Sequence, residues 1–478
     1  MALLALVGHD ALPDEKTLHS ARQRLPQLAD YTQWFSASAA FASQDFEAAA
    51  RHAEAVLKHR PKSPLIAQAA FLAAKAYIAA NHPEKAVAVL GRAREDLPQP
   101  EGDLELAGAF EAARDRTNAL ACYRRIWLEY PASSQAMLSE PRLAGAPPAA
   151  SSALLVRATK LMEARAFDQA RRDFTALAAS SAGLEHDFAL VRTGAVDQRA
   201  NRNAAALSYL QALTISNPEA DAERLYYILA AARRLNRLDD IQTALAQLTR
   251  SYPRSEWRLR ALAAAGDEYF VLNQPADFEP LYTACFEQFP TSTQAAYCHW
   301  RVAFSGYLLR RENTAEMMRS HLRRYPESAN ASAAMYFLGR MAERESQWAE
   351  ARAWYDQVES WFPNYYYGFL ARARRAQTEV AKASPSKTAA ELLEGSRFPT
   401  RVLRASFEPL PSAESSFERA RLLRSAALDE FAEMELKYEA KSSEQPEAFG
   451  LELARMAAAR SAPDRAIRYL KRYAPGYL

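Results

Sequence analysis

Prolines punctuate this chain at a nearly constant interval, and no other feature of the sequence limits its fold as strongly. Pro26, Pro61, Pro98 and Pro131 follow one another at steps of 35, 37 and 33 residues. Pro218, Pro253, Pro290, Pro326 and Pro363 follow at 35, 37, 36 and 37. An aromatic residue precedes five of them: Tyr130, Tyr252, Phe289, Tyr325 and Phe362. A proline ring cannot sit in a helix interior, and it pushes the residue before it out of the helical region. Each aromatic–proline pair therefore ends one helix, and the fixed period means that one unit recurs.

The unit "SANASAAMYFLGRMAERESQWAEARAWYDQVESWFP" shows what recurs. Ala334, Leu338 and Met341 lie along one face of a first helix. A polar turn follows near Glu345 and Ser346, and then Trp348, Ala351, Tyr355, Val358 and Phe362 recur at steps of three and four. That spacing is the apolar stripe of a second helix. Gly339 and Ala351 are small enough for the two helices to approach closely. Comparable helix starts stand at Phe46, Phe167 and Pro463. A helix pair of this size cannot bury both faces alone, so successive pairs must stack. The expected fold is all-α, a tetratricopeptide-like α-α superhelix, a solenoid with a concave surface that can curve into a partial ring.

Composition agrees. Only 14 of 478 residues are glycine, which leaves little material for β-hairpin turns or phosphate-cradling loops. The net charge of +3 is spread along the chain. The basic runs "ARARR" (Ala371 to Arg375) and "RSHLRRYP" (Arg319 to Pro326) read as solvated helix faces, and no nucleic-acid partner is expected. Cys122, Cys285 and Cys298 form no metal-ligand spacing and read as buried small residues, with the redox compartment left open. No apolar run reaches membrane-spanning length. "MALLALVGHDALP" lacks the basic flank of a signal peptide, so either the protein is cytosolic or its true start lies upstream of Met1.

Two irregular stretches divide the array. Residues 1–140 form N-terminal repeats, 141–153 ("PRLAGAPPAASSA") a linker, and 154–380 the main superhelix. Residues 381–413 form a second irregular connection and 414–478 a C-terminal helical segment. No phosphate-binding loop, nucleophile elbow or metal-ligand cluster is present, so no catalytic, cofactor-binding or metal-binding residue is assigned and no cofactor is expected.

The block "YFLGRMAERESQWAEARAWYDQVESWFPNYYYGFLARARR" resembles the end of the superhelical region of soluble lytic murein transglycosylases. The resemblance rests on Tyr336-Phe337-Leu338-Gly339-Arg340, with phenylalanine where the family usually has tryptophan, and on Tyr366-Tyr367-Gly368-Phe369-Leu370-Ala371. "FERARLLRSAALDEFAEMEL" (Phe417 to Leu436) and "AIRYLKRYAPGYL" (Ala466 to Leu478) are similar to the helices that lead into that family's catalytic domain. Before about residue 150 only the repeat pattern is shared. The resemblance implies a periplasmic scaffold that serves cleavage of the β-1,4 bond of peptidoglycan to a 1,6-anhydro product. Its implied partners are glycan strands.

One departure matters. The family's lysozyme-like domain, with its ESxF glutamate and glycine-leucine-methionine-glutamine motif, would be expected to begin where this sequence stops, at Leu478. "ESSF" at Glu414 to Phe417 has no glycine-rich continuation, and Glu414 reads as a residue near a helix start. The chain alone is expected to be inactive. Tyr365, Tyr366 and Tyr367 are the candidate contact residues, either for a glycan or between packed layers. Packing is the preferred reading, because Gly368 permits close approach of another backbone. The alternative function is a stand-alone tetratricopeptide-like scaffold that docks an envelope protein, and a cytosolic scaffold is a third.

Overall fold

The computed structural model describes residues 15–396, 398, 407–408 and 410–475. The opening stretch 1–13, parts of the 381–413 connection and the last three residues lie outside the described residues. The chain is all-α, a tetratricopeptide-like α-α superhelix, and the described residues contain no β-strand. It divides into two compact units, residues 1–160 with 404–478 and residues 161–403.

The joints follow from local chemistry. Each aromatic residue before a proline caps its helix in the same extended-bridge conformation: Tyr252 at φ −133° and ψ 53°, Phe289 at −128° and 55°, Tyr325 at −136° and 56°, Phe362 at −132° and 49°. Proline forbids the helical alternative at that position. Within each helix pair the turn is made differently. Among the described residues eleven non-glycine residues take positive φ, including Asn81, Asn236, Asn273, Ser346 and Ala427, each where one helix hands over to the next. Glycine is scarce because these left-handed positions are filled by asparagine, arginine and serine instead.

In the second unit the pairs run from Gly183–Arg199 with Asn203–Ala212 to Ala331–Arg344 with Trp348–Trp361. The expected stripe is present: Ala334, Leu338, Met341, Ala351, Tyr355, Val358 and Phe362 are all buried, while Trp348 is half-buried against the same core. A β-carbon on Gly339 would lie 2.6 Å from Tyr355 Cε1, so the close approach of this pair does require glycine. Cys285 and Cys298 are buried as expected, but they are joined in a disulfide between the helices Pro275–Gln288 and Ala295–Leu308. Their separation of 13 residues gave no sign of it, because pairing depends on how two helix faces meet. Part of the 381–413 connection is ordered packing rather than loose chain. The short helices Thr378–Lys382 and Thr388–Leu393 bury Val380, Ala389 and Leu393 in the core that holds Trp354 and Tyr355.

In the first unit, grouping in space departs from chain order. The helices Glu414–Ser425, Asp429–Glu439, Pro446–Ala459 and Pro463–Tyr473 share one core with the N-terminal helices. Leu18, Leu28, Tyr31 and Phe35 pack with Phe417, Leu423, Leu436 and Phe449. Phe431 meets Tyr31 and Phe35 edge-on, with ring centroids 5.7 and 5.5 Å apart. A buried polar knot accompanies this core. Arg419 bonds to Asp30 at 2.9 Å and to Glu435 at 2.7 Å, Tyr31 donates to Glu435 at 2.7 Å, and Ser63 donates to Asp30 at 2.6 Å. The 141–153 stretch holds a 3-10 turn at Glu140–Leu143 and the start of the helix Ser151–Glu163, inside which the unit division falls.

Candidate functional site

The tyrosine triplet sits where Pro363 stops the helix Trp348–Trp361 and the helix Tyr366–Arg375 begins. Tyr365 is the N-cap residue, in extended conformation, and accepts at its carbonyl from Phe369 N–H at 3.1 Å. Gly368 is buried directly against the Phe362 carbonyl, where any β-carbon would collide with the oxygen. That tight corner turns the three tyrosines in different directions.

Only Tyr367 packs against the neighbouring layer. Its half-buried ring lies 5.3 Å from Tyr336 and 5.7 Å from Phe337, and burial pushes its hydroxyl pKa up. Tyr365 and Tyr366 are 49% and 70% exposed, and Phe369, one turn on, is 65% exposed. The triplet thus divides, with Tyr367 half-buried against the neighbouring helix, Tyr365 resting on Phe362, and Tyr366 exposed. The reason is helical geometry, since consecutive residues at a helix start point about 100° apart and only one can face the neighbouring layer.

Tyr367 also connects the exposed rings to a longer aromatic row. From Tyr366 the centroids step 5.2 Å to Tyr367, 5.7 Å to Phe337, 4.6 Å to Tyr307, 6.2 Å to Phe304 and 5.3 Å to Trp300. The last two steps are stacked pairs. Three successive first helices contribute: Ala295–Leu308, Ala331–Arg344 and Tyr366–Arg375. Phe304, Tyr307, Phe337 and Tyr367 are each half-buried, so the row combines packing with an open edge. Sequence reading missed this extension, although Trp300, Phe304 and Tyr307 stand at steps of four and three on one helix face.

The charges beside the row are satisfied within the protein. Arg374 clasps Glu343 at 2.5 Å, Arg375 bonds to Asp356 and Glu359 at 2.7 Å each, and Arg372 lies 3.4 Å from Glu359. "ARARR" is therefore a set of ion pairs to the preceding helices. Such a surface has no strong net charge, and it offers flat apolar rings with phenolic hydroxyls. It suits a ligand with apolar faces and many hydroxyls.

Glu414 is exposed on the first turn of Glu414–Ser425, while Ser416 and Phe417 beside it turn inward. The described residues contain no helix long and apolar enough to cross a membrane.

Comparisons with known proteins speak to the architecture. The tetratricopeptide repeat family model matches residues 40–107. No curated protein matches the chain. Among solved structures the chain is similar to yeast Tom70, at 13% identity over 94% of this chain and 92% of that one, with a TM-score of 0.27. It is also similar to the Cut9–Hcn1 hetero-tetramer of the APC/C, at 15% identity over 96% and 82%, with a TM-score of 0.25. At those scores neither structure carries an argument. The repeat match and the helix pairs make the chain a tetratricopeptide-like helical-repeat scaffold, an architecture that presents extended surfaces to protein partners.

Proposed function

We propose that this chain is the superhelical scaffold of a peptidoglycan lytic transglycosylase, a periplasmic body that positions glycan strands for a lysozyme-like catalytic domain. The observation that carries the proposal is the aromatic row ending in exposed Tyr366, with Phe369 exposed one turn on. Sugar rings stack their C–H faces on aromatic rings, and phenolic hydroxyls bond to sugar hydroxyls. The motif resemblance falls on the same residues, Tyr336 to Arg340 and Tyr366 to Ala371. The Cys285–Cys298 disulfide supports the periplasmic part, because disulfides persist in oxidising compartments. Catalysis lies outside the scaffold role, and the chain alone is expected to release no anhydro-muropeptides from sacculi.

Co-sedimentation with purified, insoluble peptidoglycan tests the proposal. The wild-type chain is expected in the pellet, and Tyr366→Ala/Phe369→Ala is expected to lower its apparent affinity about tenfold. Equal pelleting of both proteins, or none of the wild type, would count against it. The second reading is a stand-alone scaffold for an envelope protein, favoured by the repeat match at 40–107. A protein partner captured from envelope extract, with binding indifferent to glycan, would select it.

A further inference from the structure

A cavity of about 730 Å³ opens in the first unit, between the helices Ile66–Ala79 and Asp429–Glu439. Its size falls in the range of ligand sites. One wall is apolar, formed by Pro64, Ile66, Leu97 and Pro98, and Met434 and Tyr438 face it. The opposite wall comes from the C-terminal helices and carries four cations, Lys437, Lys441, Arg460 and Arg465, against two carboxylates, Glu430 and Glu433, a net charge of +2. Asp96 on the apolar side is already matched by Lys62 at 2.9 Å.

Asp429 holds Arg460 at 3.1 Å, but Glu433 cannot absorb the other cations. Glu433 receives Lys437 at 2.5 Å together with Arg465 and the Tyr469 hydroxyl, and Arg460 stands 3.9 Å away. Burial works to raise its pKa, but these donors outweigh burial and hold it below the ordinary carboxylate value. One saturated carboxylate thus serves both Lys437 and Arg465. The Lys441 ammonium is exposed and has no acidic partner among the described residues.

A second, independent observation lies on the other wall. The Gln68 side chain lines the cavity with its Oε1 buried and unpartnered, while its Nε2 meets only the Met434 sulfur at 3.6 Å. A thioether is a weak acceptor, so one end of this amide is left without a proper partner whichever way the amide is turned. A peptide group supplies both an N–H and a carbonyl and satisfies either orientation. An aliphatic chain supplies neither.

We propose that this cavity docks an extended acidic peptide segment, with an apolar side chain on Ile66, Leu97 and Met434, carboxylates toward Lys441 and Arg465, and a backbone amide on Gln68. The site is remote in sequence from the aromatic row and stands or falls separately from the glycan reading.

The test uses the full chain and a fluorescein-labelled peptide of alternating leucine and glutamate, followed by anisotropy at low salt. Saturable binding is expected, about tenfold weaker for the leucine–glutamine counterpart. Lys441→Glu, an exposed change that leaves the fold intact, is expected to weaken the acidic peptide about tenfold. Gln68→Leu is expected to weaken both peptides. Absence of saturable binding, equal affinity for the two peptides, or wild-type affinity in Lys441→Glu would each overturn the proposal.

Discussion

Ala427 takes φ +58° in the turn between the helices Glu414–Ser425 and Asp429–Glu439, a conformation that brings its β-carbon against the backbone. The left-handed region costs an ordinary residue about 1–2 kcal/mol, and glycine recovers most of this while giving back some entropy in the unfolded chain. Ala427→Gly is therefore expected to stabilise the protein by about 0.5–1 kcal/mol, measured as a shift of the urea midpoint at constant m-value. The opposite holds at Gly368, where the Phe362 carbonyl leaves no room for a β-carbon. These two positions also show what single residues reveal. Gly368 stands beside an aromatic–proline joint and three tyrosines, so its tight corner was legible. Ala427 is one alanine in an alanine-rich run, and nothing local marks it as a turn.

At the scale of elements, the helices Ala295–Leu308 and Thr314–Arg324 bury two histidines against each other. His299 and His321 are fully enclosed, with ring centroids 5.3 Å apart, and the Nδ1 atom of each has no partner. His321 Nε2 meets Ser328 Oγ at 3.2 Å, and Phe286 and Tyr325 close the site around His299. The nearest charge is Arg324, a cation over the Phe286 and Tyr325 rings. Burial, with Arg324 adding to it, pushes the His299 pKa down to about 4. Burial, with His299 adding to it, pushes that of His321 to about 3. An unfolded histidine titrates near 6.5. Between those limits the unfolded chain binds protons that the folded chain does not, so stability is fully present above about pH 6.5 and is lost as pH falls toward 4. Each histidine contributes a slope of about 1.4 kcal/mol per pH unit in that window. Urea unfolding at pH 7, 6 and 5 should show the loss, and His321→Phe should remove about half of this slope. An unchanged slope in the variant would place the acid sensitivity elsewhere. In the sequence His321 belongs to "RSHLRRYP" and reads as one more polar residue on a basic face. Its burial depends on the partner helix, and "RSHLRRYP" alone carries no sign of it.

At the scale of the molecule, the repeat was legible because the aromatic–proline joint is local chemistry, imposed by proline on the residue before it. Which helices share a core is not local. The segment after residue 413 reads as a continuation beyond the array, yet Arg419 reaches Asp30, 389 residues away, inside the first unit. Burial of Arg419 between Asp30 and Glu435 makes this link expensive to break from one side. Arg419→Ala is expected to cost about 3–5 kcal/mol, because two buried carboxylates lose their cation. Hydrogen exchange should then rise together in the helices Ala29–Ala42 and Asp429–Glu439, which share the core. A rise confined to the C-terminal helices would mean that the N-terminal repeats hold without them. The aromatic row has the same character. Its rings lie on three helices some thirty residues apart, and only stacking of the pairs brings them into line.

The proposed hold of this row on a glycan strand stands or falls on where the ligand sits. Soluble glycan strands stripped of their stem peptides would be titrated into the full chain and followed by hydrogen–deuterium exchange. The account predicts protection centred on Ala295–Leu308, Ala331–Arg344 and Tyr366–Arg375, and its loss in Tyr366→Ala/Phe369→Ala. Protection elsewhere, or none at saturating glycan, would contradict it.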